Sequence, residues 1–411
     1  MTWKPRQIEP QEIDAVVNLS AVMFAYGPSF PDPYPEMLKL MAEVDRIFVI
    51  DDGPTLAGTA GAFTMEVAVP GGNDIPMCGV TEVGVLPTHR RRGMLTSLMA
   101  TILDQAIERG EPVAGLTASE GGIYRRFGYG VAARTQRVTV NSARSAEVVD
   151  PSSPGRLRLI TEGEAETLLP EVWAKHWRRR PGEIDRNTGY WKALALDPEP
   201  DRHGAGPRFI VVHEDTDGQV DGAAIYRVKE GGAVDGIYGE LLVEDIIAVD
   251  DRIEATLLRY LLDVDLIGHI QWRAAPLDLA LRWRLRDSRQ VLVTREHDHL
   301  WLRPLDVPAC LTARTYAAEG SAVLEVLDDY RPELGGRFRL ETGPDGSECG
   351  RATGDPDVVL QTAELGALML GGVTWATLHR AGLLEERTPG TLDRLDAAFR
   401  PDRAPFCGTG F

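Results

Sequence analysis

The sequence predicts a mixed α/β fold, with α+β parts, that is divided into more than one domain. Helical and strand patterns alternate along residues 1–145, and one strand–turn–helix pattern returns later in the chain. A final segment, residues 291–411, changes to short strands followed by helical apolar stretches. A chain of 411 residues is too long for one ordinary hydrophobic core, so we expect two or three domains.

The first segment has two predicted long helices. One runs from Gln11 to about Phe24, with Pro10 just ahead of it, where proline suits the start of a helix. In the other, apolar residues from Met94 onward recur on one helical face, and Gly110 suits the end of the helix. Strands are predicted at residues 46–50, 56–69, 80–85 and 113–116, and a short helix at residues 123–127.

A basic turn lies between the strand at 80–85 and the helix from Met94. Three consecutive arginines and Gly93 precede the first helical turn. Unpaired amides and the helix dipole favour negative charge at such an N-terminus, and a glycine lets the backbone approach a ligand closely. The turn therefore predicts a site for the diphosphate of a cofactor. A solvated basic turn is the alternative for an isolated run of arginines.

The same strand–turn–helix pattern recurs when Glu82 is aligned with Glu244 without gaps. The apolar positions of the helix and Arg90 (opposite Arg252) are repeated, but the phosphate turn is not. Arg91, Arg92 and Gly93 stand opposite Ile253, Glu254 and Ala255. We interpret this as a duplicated fold whose second copy has lost its phosphate site; coincidence is the alternative. The predicted domains are residues 1–145, 146–290 and 291–411.

The composition narrows the function classes. A formal net charge of −18 argues against general nucleic-acid binding and is compatible with cationic substrates. The four cysteines are scattered without a CxxC pair, so neither a zinc site nor a disulfide framework is expected. The N-terminus lacks an apolar signal core, and the longest uncharged run, residues 365–378, is too short to span a bilayer. We expect a cytoplasmic protein, while secretion without a signal peptide stays open.

The turn and its surroundings resemble the acetyl-CoA site of GNAT-type N-acetyltransferases. The resemblance rests on Arg90-x-x-Gly93 between a strand and an amphipathic helix, with a second strand and a tyrosine-containing turn beyond it. It implies that strand backbone beside Gly84, where we expect a bulge, pairs with the pantetheine arm. The implied acetyl-CoA-binding residues are Val83, Gly84, Val85, Arg90, Arg91, Arg92, Gly93, Met94, Leu95, Thr96, Ser119 and Glu120. Leu95 departs from the glycine or alanine usual in the family.

The resemblance also implies a general acid in the segment from Ser119 to Gly130. A tyrosine on the short helix after the second strand protonates the departing CoA thiolate in this family, and Tyr124 occupies that position. A phenol of pKa ~10 is protonated at neutral pH and is only slightly weaker as an acid than a thiol of pKa ~8.5. Tyr129 is the alternative candidate for the general acid, but it follows Gly128 and is expected to pack in the next strand.

Over its whole length the chain is similar to the Eis family of actinobacterial acetyltransferases. The Thr88-to-Gly93 turn, the Ser119-to-Gly130 segment and the terminal Phe406-Cys407-x-x-Gly410-Phe411 carry this resemblance. It implies an active GNAT domain, a degenerate GNAT domain, a domain like sterol carrier proteins, and a hexamer of two trimers. It further implies that the C-terminal carboxylate of Phe411 acts as the general base, and that Phe24 and Tyr26 bind substrate.

The predicted function is acetyl-CoA-dependent N-acetylation of amines by direct attack in a ternary complex, without a metal. The family resemblance implies aminoglycosides, polyamines and lysine side chains as acceptors, with several amines modified on one substrate. A protein or peptide lysine acetyltransferase is one alternative. A non-catalytic protein that binds CoA or an apolar ligand is the other, against which the intact turn and Tyr124 argue.

Overall fold

The first segment forms the helices and strands that the alternating pattern predicts. The computed structural model describes residues 3–142, 153–234, 237–344 and 346–411. The first elements are β1 (Arg6–Gln7), α1 (Ile13–Met23), α2 (Tyr34–Met41), β2 (Ile47–Asp52), β3 (Thr55–Ala68), β4 (Asp74–Val85), α3 (Met94–Glu108), β5 (Val113–Thr117), α4 (Gly121–Tyr124) and β6 (Gly130–Asn141). The residues 10–12 form a 3-10 turn ahead of α1, and α2 has no counterpart among the predicted elements. The predicted domain boundary between 145 and 146 lies outside the described residues.

The middle segment repeats the alternation of helices and strands. Its elements are β7 (Arg156–Ile160), α5 (Glu162–His176), α6 (Thr188–Ala195), β8 (Arg208–Glu214), β9 (Val220–Val234), β10 (Ile237–Ala248), α7 (Asp251–Leu262), β11 (Ile267–Ala275) and α8 (Leu281–Arg284). The strand and helix expected around Glu244 are β10 and α7. The recurring strand–turn–helix pattern is therefore present in the folded chain.

The last segment contains more elements than its sequence pattern predicts. They are β12 (Val291–Pro304), α9 (Val307–Thr312), β13 (Gly320–Leu327), β14 (Gly336–Gly343), β15 (Gly346–Arg351), β16 (Val358–Gln361), α10 (Thr362–Leu368), α11 (Trp375–Arg380), β17 (Leu384–Glu386) and α12 (Thr391–Phe399). The short strands and helical stretches expected here include β12, β13, β14, α10 and α11.

The chain folds into two compact units. Unit one contains residues 1–133, 180–184 and 298–411, so the first and last segments belong to one body. Its larger sheet has the order β1-β2-β3-β4-β5-β12, in which only β4 and β5 pair in parallel. Helix α3 packs on this sheet through fully buried Leu98 and Met99. A separate five-stranded sheet has the order β15-β14-β13-β16-β17.

Unit two contains residues 134–179 and 185–297. Its strands have the order β6-β11-β10-β9-β8-β7, and β10 and β11 form the parallel pair. The apolar face of α7, which includes Leu257 and Leu261, is buried in the core of this unit. In each of the two six-strand orders one neighbouring pair is thus parallel, β4–β5 or β10–β11, and a helix follows the first strand of that pair.

Candidate functional site

Strand β4 separates from its parallel neighbour before the basic turn. It pairs with β5 only from Met77 to Gly79. Further on, Glu82 and Val83 together face a single residue of β3, so the strand carries a bulge, and Glu82 has the left-handed backbone angle φ +50°. The second half of β4 therefore has backbone groups that β5 does not use, next to a gap between the two strands.

Gly84 is needed for a different reason from the one the sequence suggests. The bulge precedes it, so the prediction that Gly84 marks the bulge is wrong in position. A Cβ atom at Gly84 would lie 2.6 Å from the sulfur of Met23, far inside contact distance. The missing side chain lets helix α1 approach this end of β4 closely.

Helix α3 begins without a side-chain cap. Its N-cap is Gly93, in the left-handed conformation at φ +85°, and no side chain of the described residues bonds to the amides of the first turn. These amides are the donors that an α-helix leaves unsatisfied at its N-terminus. Arg92, directly before this glycine, has other partners. Its side chain pairs with Asp52 at 3.4 Å, and its backbone carbonyl accepts a hydrogen bond from the Trp3 indole at 2.8 Å.

A cleft of about 540 Å³ opens between the separated strands and the start of α3. Its lining includes all of the predicted cofactor-binding residues except Arg92: Val83, Gly84, Val85, Arg90, Arg91, Gly93, Met94, Leu95, Thr96, Ser119 and Glu120. Four further lining residues were not predicted from the sequence: Met23, His89, Ile123 and Arg126. Three of the four flank predicted residues in the chain, which is the signal that could have identified them.

Tyr124 lines the cleft from α4. Its side chain is buried, and burial together with the nearby negative charge of Glu120 raises the pKa of the phenol. The phenol is therefore protonated throughout the neutral range. Tyr129 stands behind it with ring centroids 6.1 Å apart, is fully buried, and does not line the cleft.

The C-terminal tail is docked in unit one. The backbone amide of Phe406 donates to the carbonyl of Pro181 at 2.9 Å, and the amide of Gly408 donates to the buried carboxylate of Glu183 at 3.1 Å. His299 lies 3.3 Å from the carbonyl of Thr409 through its Nε2 atom.

Phe411 lies where strands β4 and β5 separate. The Thr117 hydroxyl, at the end of β5, donates to a carboxylate oxygen of Phe411 at 2.8 Å. A Cβ atom at Gly79, the last β4 residue paired with β5, would lie 3.3 Å from the Phe411 ring. The structure thus brings a terminal carboxylate next to the strand gap. Thr117 is only two residues from Ser119, which lines the cleft.

The two predicted substrate-binding residues differ in position. Phe24, at the end of α1, lines the cleft and is partly exposed. Tyr26 does not line it. Its ring packs instead against Phe30 and Tyr34, with centroids 4.8 and 6.0 Å away, in an aromatic cluster on the α1–α2 connection.

The described residues offer no obvious place for a metal ion or a membrane span. Within the described parts of the chain, no group of three or more histidine, cysteine or acidic side chains is arranged to hold a metal. Among the same residues, every helix is too short or too polar to cross a bilayer.

Three family models match separate parts of the sequence. Residues 4–132 match an acetyltransferase (GNAT) domain, and residues 182–304 match a second acetyltransferase (GNAT) domain. Residues 307–408 match a sterol carrier protein domain. The expected fold, with two GNAT domains followed by a domain like sterol carrier proteins, is confirmed.

Relatives match over nearly the whole chain. An N-acetyltransferase of Streptomyces avermitilis is 39% identical over 377 residues, which are 92% of each chain. The N-acetyltransferase Eis of Mycobacterium bovis is 33% identical over 376 residues, or 89% of each. The crystal structure of Eis1 from Mycobacterium abscessus superposes with a TM-score of 0.88 at 31% identity, covering 99% of this chain and 100% of the other.

Proposed function

The chain belongs to the Eis family of GNAT N-acetyltransferases, and on that premise we propose that it acetylates amines of cationic acceptors with acetyl-CoA. Aminoglycosides, polyamines and lysine side chains are the acceptor classes we propose. The formal net charge of −18 supports a cationic partner.

The uncapped N-terminus of α3 is the observation that carries this proposal. A diphosphate accepts hydrogen bonds and carries negative charge, which suits the free first-turn amides and the positive end of the helix. Arg90 and Arg91 line the cleft beside these amides and supply two further positive charges. The half-buried side chains of Val83 and Val85 give the remainder of a pantetheine arm an apolar strand to follow. The residues present therefore fit acetyl-CoA.

Acetyl-CoA, when bound, supplies an acetyl group activated as a thioester. The neutral amine of the acceptor forms a new N–C bond to the acetyl carbon, and the C–S bond breaks. Tyr124 donates its phenolic proton to the departing sulfur, which leaves as the thiol, and regains a proton from solvent. The raised pKa of Tyr124 keeps this proton in place at neutral pH.

The carboxylate of Phe411 is proposed to receive the proton that the amine loses. The tail bonds and the hydroxyl of Thr117 support this role because they hold the carboxylate beside the strand gap. An α-carboxyl has an ordinary pKa of about 3.5 and an alkylammonium about 10, so direct transfer is steeply uphill. A water relay, or orientation of the amine by the negative charge, is compatible with the same geometry.

Thiol release from acetyl-CoA tests the proposal. The assay uses a panel of polyamines and aminoglycosides with the full chain, Tyr124→Phe, and a chain that lacks Phe411. We expect turnover with wild type and a large loss in both variants. If only Tyr124→Phe fails, the tail has a structural role and the base lies elsewhere. If wild type binds acetyl-CoA but releases no thiol with any amine, the catalytic function is wrong and a binding role replaces it.

A further inference from the structure

Glu82 is a partly buried carboxylate with no cation paired to it among the described residues. Its Oε2 atom is inaccessible to water and has no hydrogen-bond partner among the described residues. Burial raises the pKa of this carboxyl, and only the hydroxyl of Ser20 on α1 acts in the opposite direction. Since a carboxylate in such surroundings is costly unless it is paired, the position requires an explanation beyond folding.

The backbone conformation of Glu82 also costs free energy. Glu82 is the left-handed residue of the β4 bulge, with φ +50°, a conformation that glycine adopts more easily than glutamate. Strained backbone that survives in a folded protein tends to lie at functional sites. The bulge also places Glu82 directly before Val83 and Gly84, which both line the acetyl-CoA cleft.

The Phe411 ring and the side chain of Glu82 lie along one face of β4. Side chains alternate along a strand, so Gly79, which contacts the Phe411 ring, and Thr81 share a face. Thr81 lies beside Ile47, which belongs with Val16 of α1 to one apolar cluster, so this is the α1 face. Glu82 faces α1 as well, through Ser20. Three residues of extended strand span roughly 10 Å, so Glu82 lies about the length of a short diamine along β4 from Gly79, where the Phe411 ring packs.

The repeat within the chain contains a glutamate at the same position that is paired. Glu244, which aligns with Glu82, is also the extra residue of a bulge, here between β10 and β9. Its carboxylate pairs with buried Arg227 and, at 2.8 Å, with Arg208. The second copy thus contains the cations that neutralise its glutamate, while in the described part of the first copy no arginine or lysine pairs with Glu82.

We propose that Glu82 binds an ammonium group of the acceptor, distinct from the amine that is acetylated. The acceptor then supplies the cation that Arg227 supplies in the second copy. Glu82 makes no bond in the reaction; it holds a positively charged end of the acceptor while the neutral amine at the other end meets the thioester. The acceptor class that fits is a molecule with two or more amines about 10 Å apart or less. This inference rests on the proposed function.

A matched pair of acceptors, 1,5-diaminopentane and pentylamine, tests the proposal. In thiol release, wild type should prefer the diamine. Glu82→Gln, which keeps the shape and removes the charge, should raise KM for the diamine by about tenfold or more, with kcat little changed and pentylamine unaffected. Glu82→Asp should recover part of the preference. Glu36→Gln, which removes an exposed charge on the neighbouring helix α2, is the control and should behave as wild type.

Calorimetric titration of 1,5-diaminopentane, without turnover, gives an independent reading. We expect binding to wild type and to Glu36→Gln, and a loss of about tenfold or more in Glu82→Gln. Equal diamine affinity and an unchanged diamine preference in Glu82→Gln would overturn the assignment. If no amine causes thiol release from wild type, the proposed function fails, but the titration still decides whether Glu82 binds a diamine.

Discussion

The two GNAT copies differ at the start of the helix that follows the first strand of the parallel pair. In the second copy, the carboxylate of Asp250 caps α7 by accepting from the amides of Arg252 and Ile253, each at 2.8 Å. In the first copy, the N-cap is Gly93, which has no side chain to offer. The residues aligned with the basic turn lie inside α7, so the helix of the second copy begins earlier and has no phosphate turn.

The glutamates of the two bulges differ in the same direction. Glu244 is paired with two arginines, and Glu82 is left without a cation in the described part of unit one. At the helix start and at the bulge, the second copy provides partners for its polar groups from its own side chains. The described residues of the first copy provide no side-chain cap and no cation at these positions. The comparison teaches that unsatisfied groups, more than the fold, distinguish a binding site from a structural copy of it.

Removal of the proposed acid should produce the largest effect. Tyr124→Phe keeps the ring that packs on the cleft and removes the proton donor, so kcat for thiol release should fall about 100-fold, with acetyl-CoA affinity retained. Tyr129→Phe is the matched control, because the Tyr129 hydroxyl is buried and has no partner among the described residues. This control should keep full activity. Equal losses in both variants would mean that the fall in kcat does not report proton donation by Tyr124.

The pH profile follows from the raised pKa of Tyr124. The phenol can donate only while protonated, so activity is retained below its pKa and lost as the pH rises through it. Because this pKa lies above the ordinary value of ~10, ionisation of Tyr124 should not reduce kcat below about pH 10. An alkaline decline in kcat with a midpoint near pH 8 that disappears in Tyr124→Phe would contradict this.

The glycine at the start of α3 should matter more for acetyl-CoA than an equally strained glycine at its end. Gly93 and Gly110 are both left-handed, and a Cβ atom at either would meet nothing within 4 Å. An alanine at either position should therefore cost a similar ~1 kcal/mol of stability. Only Gly93→Ala places a methyl group beside the free amides, so it alone should weaken acetyl-CoA binding, by about tenfold, in calorimetry. Equal acetyl-CoA affinity in the two variants would show that the first-turn amides of α3 do not bind acetyl-CoA.

Much of this contrast was predictable from the sequence. The spacing of apolar residues from Met94 onward identified α3, and the loss of Gly93 at the aligned position identified the copy without the phosphate turn. The position of the bulge was missed, because Gly84 is the conspicuous residue in the sequence whereas the left-handed residue is Glu82. Local patterns cannot show pairings between distant segments, such as Glu183 with the tail amide of Gly408. The hexamer stays a prediction.

The cap of the second copy should matter for stability and not for turnover. Asp250→Ala leaves two amides of α7 without their acceptor and should lower the free energy of unfolding by ~1 kcal/mol. Asp250→Ser, which can still cap, should recover most of that loss. Urea unfolding and thiol release on the same samples measure both quantities. A marked fall in turnover with stability unchanged would assign the second copy a direct catalytic part.

The bond that holds the terminal carboxylate should have the smallest effect. Thr117→Val keeps the shape of the side chain and removes the hydroxyl that donates to Phe411. One neutral-to-charged hydrogen bond near solvent is worth about 1 kcal/mol, so kcat/KM should fall roughly fivefold. Thr117→Ser should behave nearly as wild type. If Thr117→Val has full activity while loss of Phe411 abolishes it, the other tail contacts alone position the carboxylate.

A calorimetric titration of acetyl-CoA tests most directly whether the first copy alone binds it. Arg90 and Arg252 are aligned in the repeat, so Arg90→Ala with Arg91→Ala and the single variant Arg252→Ala form a matched comparison. We predict one acetyl-CoA per chain for wild type, affinity weakened about tenfold or more in the first variant, and no change in the second. Two molecules per chain, or a loss of affinity in Arg252→Ala, would contradict the account.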